Sequence, residues 1–200
     1  MSDGDGRMRL REALVALRAA RGDDDVVVTT MGAAREWMAL DRELGAHPLD
    51  LVLVPSSMGQ ATSYGLGLAL AQPRRRVVVV NGDGSMLMNL GSLVTIADAA
   101  PGNLTVIVVD NGVYEVTGAQ PVPGAGRVDF AAMARACGFR AVRRYADAAA
   151  WARDVGAIVA APGPTLVVLD VEGVAGIPGP RSPGPAGERA RRLMEALGVV

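Results

Sequence analysis

Short apolar runs alternate with longer amphipathic segments along most of this chain. Runs rich in valine and leucine, bounded by polar, glycine or proline residues, are typical of strands buried on both faces of a parallel sheet. Six such strands are predicted, over residues 26–28, 51–54, 77–80, 104–109, 139–145 and 165–170. Helical spacing of apolar residues predicts helices over residues 7–21, 60–71, 129–137, 147–161 and 188–197, with two more beginning at Arg35 and Met86.

This alternation predicts an α/β fold, a three-layer α/β/α arrangement around a mostly parallel, six-stranded sheet. We expect one domain over residues 1–175, a Pro/Gly linker over 176–187 and a C-terminal helix over 188–200. The chain has 200 residues, 50% of them hydrophobic, which suits a single full hydrophobic core. The helix over residues 60–71 carries small side chains that permit close packing on the sheet.

Charge and composition limit the kinds of partner and compartment that the sequence predicts. The net charge is −1, so no electrostatic argument favours nucleic acid or a membrane surface. The amino terminus is acidic and polar, unlike a signal peptide, and no apolar run reaches membrane-spanning length, so we expect a cytoplasmic protein. The one cysteine, Cys137, has no partner for a disulfide and is interpreted as a buried, inert thiol.

The candidate chemistry begins at the turn after the third predicted strand. Gly82, Asp83 and Gly84 follow the valine run and lead into a helix-like segment, a geometry that offers free backbone N–H groups to a phosphate. A carboxylate facing phosphates would repel them, so Asp83 indicates a hard divalent cation between the two, with magnesium the obvious candidate. Alone, such a turn is also a common surface feature.

A second set of ligands follows the next predicted strand. Asn111 comes directly after the apolar run over residues 104–109, 28 residues beyond Asp83. Consecutive parallel strands joined by a helix place their carboxyl ends at one edge of the sheet, so the two side chains are expected to approach one ion. The Asn111 amide oxygen, the Val113 carbonyl, two diphosphate oxygens and water would complete an octahedron around Mg²⁺.

These residues resemble a known motif. Gly82-Asp83-Gly84, the spacer and Asn111 are similar to the thiamine diphosphate motif of thiamine-dependent decarboxylases and synthases. Residues 81–92 and 110–120 are most similar to the phosphonopyruvate and sulfopyruvate decarboxylases. The resemblance covers nearly the whole chain as one module, the diphosphate-binding one, and implies thiamine diphosphate and Mg²⁺ as cofactors.

The resemblance also implies which residues hold the cofactor. In that family an apolar side chain at the position of Met58 wedges between the two thiamine rings, and the carbonyl of Ser56 accepts from the 4′-amino group. Without the family, Met58 is simply a core methionine. The cofactor-binding set predicted in this way is Thr30, Gly32, Ser56, Ser57, Met58, Gly59, Gly82, Asp83, Gly84, Ser85, Asn111, Val113 and Tyr114. Contacts from the first loop depart from the family, because Gly32-Ala33-Ala34 stands where many relatives carry hydroxyl or lysine side chains.

Two side chains are candidates for catalysis. Glu115 lies in a Gly- and Pro-rich segment with the character of a mobile flap, and a carboxylate under a flap can relay protons if burial disfavours its charged form. His47, the only histidine, lies in a loop that approaches the substrate in some relatives. A surface position is the alternative for both residues.

The resulting hypothesis is the diphosphate-binding subunit of a thiamine-dependent decarboxylase acting on a small anionic 2-oxo acid. In the resembling family a glutamate that activates the cofactor comes from a separate pyrimidine-binding domain, so we expect a partner α subunit to supply it. A thiamine-dependent carboligase and a non-catalytic binding module are the alternatives.

Overall fold

The computed structural model describes residues 7–54 and 58–200. In chain order the elements are α1 (Leu10–Ala20), β1 (Val26–Thr30), α2 (Met31–Leu44), β2 (Asp50–Leu53), α3 (Ala61–Ala71), β3 (Val77–Gly82), α4 (Asp83–Leu87), α5 (Gly91–Ala99), β4 (Leu104–Asp110), β5 (Val113–Tyr114), a 3₁₀ turn (Glu115–Thr117), β6 (Gln120–Pro121), α6 (Phe130–Cys137), β7 (Ala141–Tyr145), α7 (Ala148–Ala160), β8 (Thr165–Asp170) and α8 (Ala186–Leu197).

Six strands form one sheet in the order β2-β1-β3-β4-β8-β7, and every neighbouring pair is parallel. The predicted fold class is therefore confirmed. Because all six strands run the same way, the ends of β1, β3 and β4 meet at one edge, called here the carboxyl edge.

Alternate residues along each strand pack into two separate hydrophobic cores, one on each face of the sheet. In β3, Val77 and Val79 pack with residues of α3, α5 and α6, whereas Val78 and Val80 pack with residues of α1, α2 and α7. The predicted close packing of α3 is also present, since a Cβ on Gly65 would lie 2.1 Å from Val79 Cγ2. None of the helices in the described ranges is both long and apolar enough to cross a membrane.

Several element boundaries differ from the sequence prediction. Helix α2 begins at Met31 rather than Arg35, so the predicted turn at Gly32 is the first turn of a helix. The helix predicted from Met86 is two helices, α4 and α5, separated at residues 88–90. At this break Asn89 donates its side-chain amide to Gly59 O and its carbonyl accepts from Ser92, contacts that replace a continuous helical ladder.

The segment predicted as a flap contains regular structure. Strands β5 and β6 form a short antiparallel ribbon around the 3₁₀ turn, with Tyr114 paired to Gln120. The predicted linker over residues 176–187 contains no strand and overlaps only the start of α8, which begins at Ala186. Leu193 of α8 is buried in the core that includes α3 and α5.

Candidate functional site

A cavity opens at the carboxyl edge, where β1, β3 and β4 end. Most of the residues that line it come from the first turn of α2, the β3–α4 turn and the segment after β4. The full lining is Leu10, Thr30, Met31, Gly32, Ala33, Met58, Gly82, Asp83, Gly84, Ser85, Val109, Asn111, Val113, Tyr114, Glu115, Val116 and Thr117. Ten of the thirteen residues predicted to bind cofactor therefore lie around one cavity.

Asp83 joins the two predicted motifs. The side chain is 4% exposed, and its two oxygens accept hydrogen bonds of 2.7 Å each, one from the backbone N–H of Gly84 and one from that of Gly112. Burial raises the pKa of Asp83 to about 6, although both hydrogen bonds lower it. The carboxylate is therefore held in place at an energetic cost that a bound cation would reduce.

Asn111 lies beside Asp83 on the same cavity wall. Gly112, whose N–H binds Asp83, is the next residue along the chain, and the Asn111 Oδ1 accepts from Val113 N–H at 3.1 Å. Carboxylate, amide and carbonyl oxygens each have two lone pairs, so these acceptors keep capacity for a cation. The structure thus brings together all three residues predicted as metal ligands, Asp83, Asn111 and Val113.

This donor set fits a hard divalent cation. Oxygen donors from one carboxylate, one amide and one backbone carbonyl suit Mg²⁺ when a ligand and water supply the remaining positions. Across residues 7–54 and 58–200 there is no cluster of three or more His, Cys, Asp and Glu side chains suited to a metal. A cation at Asp83 would therefore depend on amide, backbone and cofactor oxygens.

The glycines of the β3–α4 turn leave room for two different groups. A Cβ on Gly84 would lie 2.2 Å from Tyr114 Cε1, so the tyrosine ring packs directly on this glycine. A Cβ on Gly82 would meet no described atom within 4 Å. Gly82 therefore keeps the cavity open, whereas Gly84 admits the ring that forms its wall.

Buried polar groups without partners also mark this edge. The hydroxyl of Thr30 and both polar atoms of the Asn81 side chain are buried and find no hydrogen-bond partner among the described residues. Since an unsatisfied buried polar group costs roughly 1–3 kcal/mol, such groups in a native fold call for an explanation. Thr30 lines the cavity, so a bound polar ligand is one way to satisfy its hydroxyl.

The predicted wedge segment is tied to the β3–α4 turn. The backbone N–H of Gly59 donates to Ser85 Oγ at 3.0 Å, and Met58 lines the cavity. Ser85 is 2% exposed and therefore holds this segment rather than presenting its hydroxyl openly. Ser56 and Ser57, also predicted to bind cofactor, lie outside the described residues.

Glu115 lies at the cavity and is buried, 8% exposed. Its Oε1 accepts a 3.0 Å hydrogen bond from the backbone N–H of Val174, and its Oε2 would lie 3.1 Å from a Cβ placed on Gly32. The surface alternative for Glu115 is therefore wrong. One of its oxygens ties the 3₁₀ turn to the segment after β8, a contact that the sequence did not predict.

His47 is not part of this site. It precedes β2, whose first residue Asp50 pairs with Val27, so it lies at the amino edge of the sheet. Its Nδ1 accepts from Arg21 Nη2 at 2.9 Å and from the Leu49 N–H at 3.2 Å. Burial and the Arg21 charge lower the pKa of His47. Since the cavity lies at the other edge, the prediction that His47 reaches the substrate there is wrong. The sequence could not reveal this, because polar loops occur at both edges of a parallel sheet.

Sequence reasoning also missed residues that shape the cavity. Leu10, Ala33 and Val116 line it without any chemical signature in the sequence. Gly173 packs against the ligand segment, where its Cβ would lie 2.9 Å from both Asn111 O and Val113 Cγ2. The glycine was the only signal, and one glycine among 25 does not reveal a tertiary contact.

Comparisons with known proteins agree with this geometry. A family model described as thiamine pyrophosphate enzyme, C-terminal TPP binding domain, matches residues 30–169. The chain is 43% identical over 160 residues to a phosphonopyruvate decarboxylase of Streptomyces viridochromogenes, covering 80% of this chain and 38% of that protein. It is 44% identical over 125 residues to the sulfopyruvate decarboxylase subunit beta of Methanothermobacter thermautotrophicus, covering 62% of this chain and 64% of that protein.

The chain therefore spans 38% of the first relative's length and 64% of the second's. Among solved structures, a thiamine diphosphate-dependent 4-hydroxybenzoylformate decarboxylase of Rhodococcus jostii superposes with a TM-score of 0.69 at 22% identity. That match covers 86% of this chain and 34% of the other, and it shows the shared fold.

Proposed function

This chain belongs to the thiamine pyrophosphate enzyme family, of which it carries the C-terminal TPP-binding domain, and from that premise we propose that it is one subunit of a 2-oxo-acid decarboxylase. The family match confirms the resemblance found in the sequence. The proposed cofactors are thiamine diphosphate, which is the same compound as thiamine pyrophosphate, and Mg²⁺.

One observation carries the cofactor proposal. The buried Asp83 carboxylate accepts from the N–H of Gly112, which fixes the Gly-Asp-Gly turn against the Asn111 segment at the cavity. Asp83, Asn111 and the Val113 carbonyl would hold the cation. Thr30, the N–H groups of the first α2 turn and the Gly84 turn would bind the diphosphate, since free N–H groups at helix starts favour anions.

Bound thiamine would supply an electron sink for the charge left when carbon dioxide departs. The residues of this chain bind, orient and shield it. Met58 would contact the rings, Tyr114 on Gly84 forms one wall of the cavity, and the apolar Val109, Val113 and Val116 limit the entry of water. Low water content strengthens every electrostatic contact inside the cavity.

The proposed substrate is a small 2-oxo acid with a second anionic group. The support is the names of two relatives, a phosphonopyruvate decarboxylase and a sulfopyruvate decarboxylase subunit beta, each at least 43% identical over the aligned residues. A carboligase is the nearest alternative, because acetolactate synthases also match, at 28% and 31% identity.

The proposed assembly contains a second, pyrimidine-binding chain. Three relatives are named subunit beta, and this chain covers between 60% and 64% of their lengths, whereas it covers 38% of the S. viridochromogenes decarboxylase. We expect the partner α subunit to supply the activating glutamate at an interface over the cavity.

The test combines binding and turnover. The chain is purified with its candidate partner, and thiamine diphosphate with Mg²⁺ is titrated in calorimetrically for wild type, Asp83→Ala and the control Asp98→Ala, whose side chain is exposed on α5. We expect Asp83→Ala to abolish metal-dependent binding and Asp98→Ala to bind as wild type does. Phosphonopyruvate and sulfopyruvate should then yield free aldehyde, whereas acyloin would indicate the carboligase. Metal-independent binding, or none in the wild type, would contradict the proposal and leave a non-catalytic module.

A further inference from the structure

The segment between β8 and α8, residues 171–185, is called here the C-terminal arm. It leaves the sheet at the carboxyl edge, where Val171 N–H donates to Asp110 O at 3.2 Å and Glu172 N–H donates to Met8 O at 3.0 Å. Gly173 follows in contact with Asn111 O and the Val113 side chain. The arm therefore begins directly behind the backbone that carries two of the proposed metal ligands.

Two further contacts tie the arm to the 3₁₀ turn of the cavity. Val174 N–H donates to Glu115 Oε1 at 3.0 Å, and a Cβ on Gly179 would lie 3.7 Å from Val116 Cβ. Glu115 and Val116 both line the cavity. The first attachment of the arm is thus to the wall that carries Asn111, Tyr114 and Glu115.

The second attachment lies on the opposite side, at β2. Arg189, in the first turns of α8, donates through its two terminal nitrogens to the carbonyls of Val52 and Val54, and through Nε to Gly184 O at 3.2 Å. Ser182 Oγ donates to Val54 O at 3.4 Å. Val52 lies on β2, an edge strand, so no further strand supplies an N–H group to its carbonyl on the outer side. That carbonyl accepts from Val54 N–H at 3.1 Å and from the Arg189 guanidinium, which also binds Val54 O just beyond the strand.

The position of this second attachment matters for the cavity. Val52 and Val54 flank Leu53, which pairs with Thr30 of β1, and Thr30 lines the cavity. The arm thus links the end of β2, beside the cavity wall at Thr30, to the wall that bears Glu115. Leu193, 4% exposed in the core, anchors α8 so that Arg189 is held from a rigid support.

We propose that the C-terminal arm is a brace that sets the spacing of the two walls of the cofactor cavity, with Glu115 and Arg189 as its positioning residues. This inference rests on the proposed cofactor site. It gives Glu115 a role as a hydrogen-bond acceptor for the arm rather than as a proton relay.

Two substitutions at Glu115 separate these roles. Glu115→Gln keeps an oxygen that accepts from Val174 N–H, whereas Glu115→Ala removes it. For a brace, we expect Glu115→Gln to stay within about twofold of wild type in kcat, and Glu115→Ala to raise the thiamine diphosphate concentration for half-activation about tenfold, as the loss of one good hydrogen bond predicts. A collapse of kcat in Glu115→Gln with normal cofactor affinity would show a proton relay and overturn the assignment.

Arg189 has matched controls on its own helix. Arg191 and Arg192 are exposed, and among the described residues their ion-pair partners are glutamates one turn away, Glu195 and Glu188. We expect Arg189→Ala to raise the half-activating cofactor concentration about tenfold, and Arg191→Ala and Arg192→Ala to change it less than about twofold. Assays are run well below each variant's Tm. A substitution that lowers Tm but leaves cofactor affinity unchanged has a purely structural effect, and that result would count against the proposal.

A double-mutant cycle tests whether the two attachments act as one device. Within the described residues Glu115 and Arg189 form no hydrogen bond or ion pair with each other, so their effects on cofactor half-activation should multiply if they are independent. A brace predicts a double variant no more than about threefold worse than the worse single variant, because either loss releases the arm. Fully multiplicative effects would overturn the proposal. A wild-type complex that binds no cofactor would instead refute the proposed function itself.

Discussion

Burial determines how Asp83 behaves before any ligand binds. The hydrogen bonds that Asp83 accepts from two backbone N–H groups favour its charged form. Desolvation outweighs them and the nearby Asp110 adds repulsion, so the pKa of Asp83 is about 6. A folded protein gains nothing from such a carboxylate on its own. The cost is reasonable where a cation restores the charge balance, which is why this residue supports a metal site more strongly than the exposed acidic residues do.

The raised pKa of Asp83 predicts an unusual pH dependence of stability. The pKa is 3.8 in the unfolded chain and about 6 in the folded one, so the unfolded chain loses its proton first and stability falls as pH rises through this window. Without metal, the free energy of unfolding of wild type should fall relative to that of Asp83→Asn by roughly 2–3 kcal/mol between about pH 4 and 7.

Denaturant unfolding of both proteins in chelator at several pH values measures this difference and cancels the other titrating groups. Asp98→Asn, at an exposed position on α5, serves as the control for replacing an aspartate by an asparagine. If the difference in the free energy of unfolding between wild type and Asp83→Asn does not vary with pH, the burial of Asp83 does not raise its pKa.

A second residue-scale prediction concerns Gly84. Adding a Cβ there places it 2.2 Å from Tyr114 Cε1, so the ring must move away from the cavity wall. We expect Gly84→Ala to lose about 1–3 kcal/mol of stability and to raise the half-activating cofactor concentration at least about tenfold. Gly91→Ala, whose Cβ meets no described atom within 4 Å, should do neither. If Tyr114→Ala fails to restore stability in the Gly84→Ala background, the ring contact is not the cause.

At the scale of elements, patterns of apolar residues predicted the strands and helices whose formation depends on residues nearby in the sequence. The buried strands and most helices follow from apolar runs and helical spacing, and the two motifs from their position after β3 and β4. The break between α4 and α5 was not predictable in this way. It depends on Asn89, which binds Gly59 O across the fold, and a tertiary contact of that kind leaves no periodic trace.

The packing of α3 on β3 gives a prediction at this scale. Gly65 and Gly67 lie in the same helix, but a Cβ on Gly65 would lie 2.1 Å from Val79 Cγ2, whereas one on Gly67 meets no described atom within 4 Å. Gly65→Ala should therefore cost about 1–3 kcal/mol through overpacking. Gly67→Ala should add about 0.5–1 kcal/mol through helix propensity. Thermal unfolding checks both, and equal effects of the two substitutions would refute the close approach of α3.

For the whole molecule, the two edges of the sheet do different work. The carboxyl edge carries the cavity, whereas the amino edge carries an ion cluster in which Asp50 accepts from Arg18, Arg21 and the Trp37 indole. Sequence reasoning could assign the carboxyl edge from its motifs but gave His47 to the same site. It also treated residues 176–187 as a linker, because the contact of Ser182 with Val54 joins positions 128 residues apart and leaves no local pattern. The contact of Val174 with Glu115, 59 residues apart, was missed for the same reason.

The separation of the edges makes the last prediction. Strands of five to seven residues at about 3.3 Å per residue put at least about 15 Å between the His47 loop and the cavity. His47→Gln should therefore leave kcat and cofactor affinity within about twofold of wild type. The pKa of His47 is lowered on folding, chiefly by burial, so the unfolded chain takes up the proton first and stability is lost as pH falls below 6.5. Between about pH 7 and 5, the Tm of wild type should accordingly fall further than the Tm of His47→Gln. A tenfold fall in kcat with unchanged Tm would instead place His47 in the reaction, and it would require the amino edge to reach the substrate.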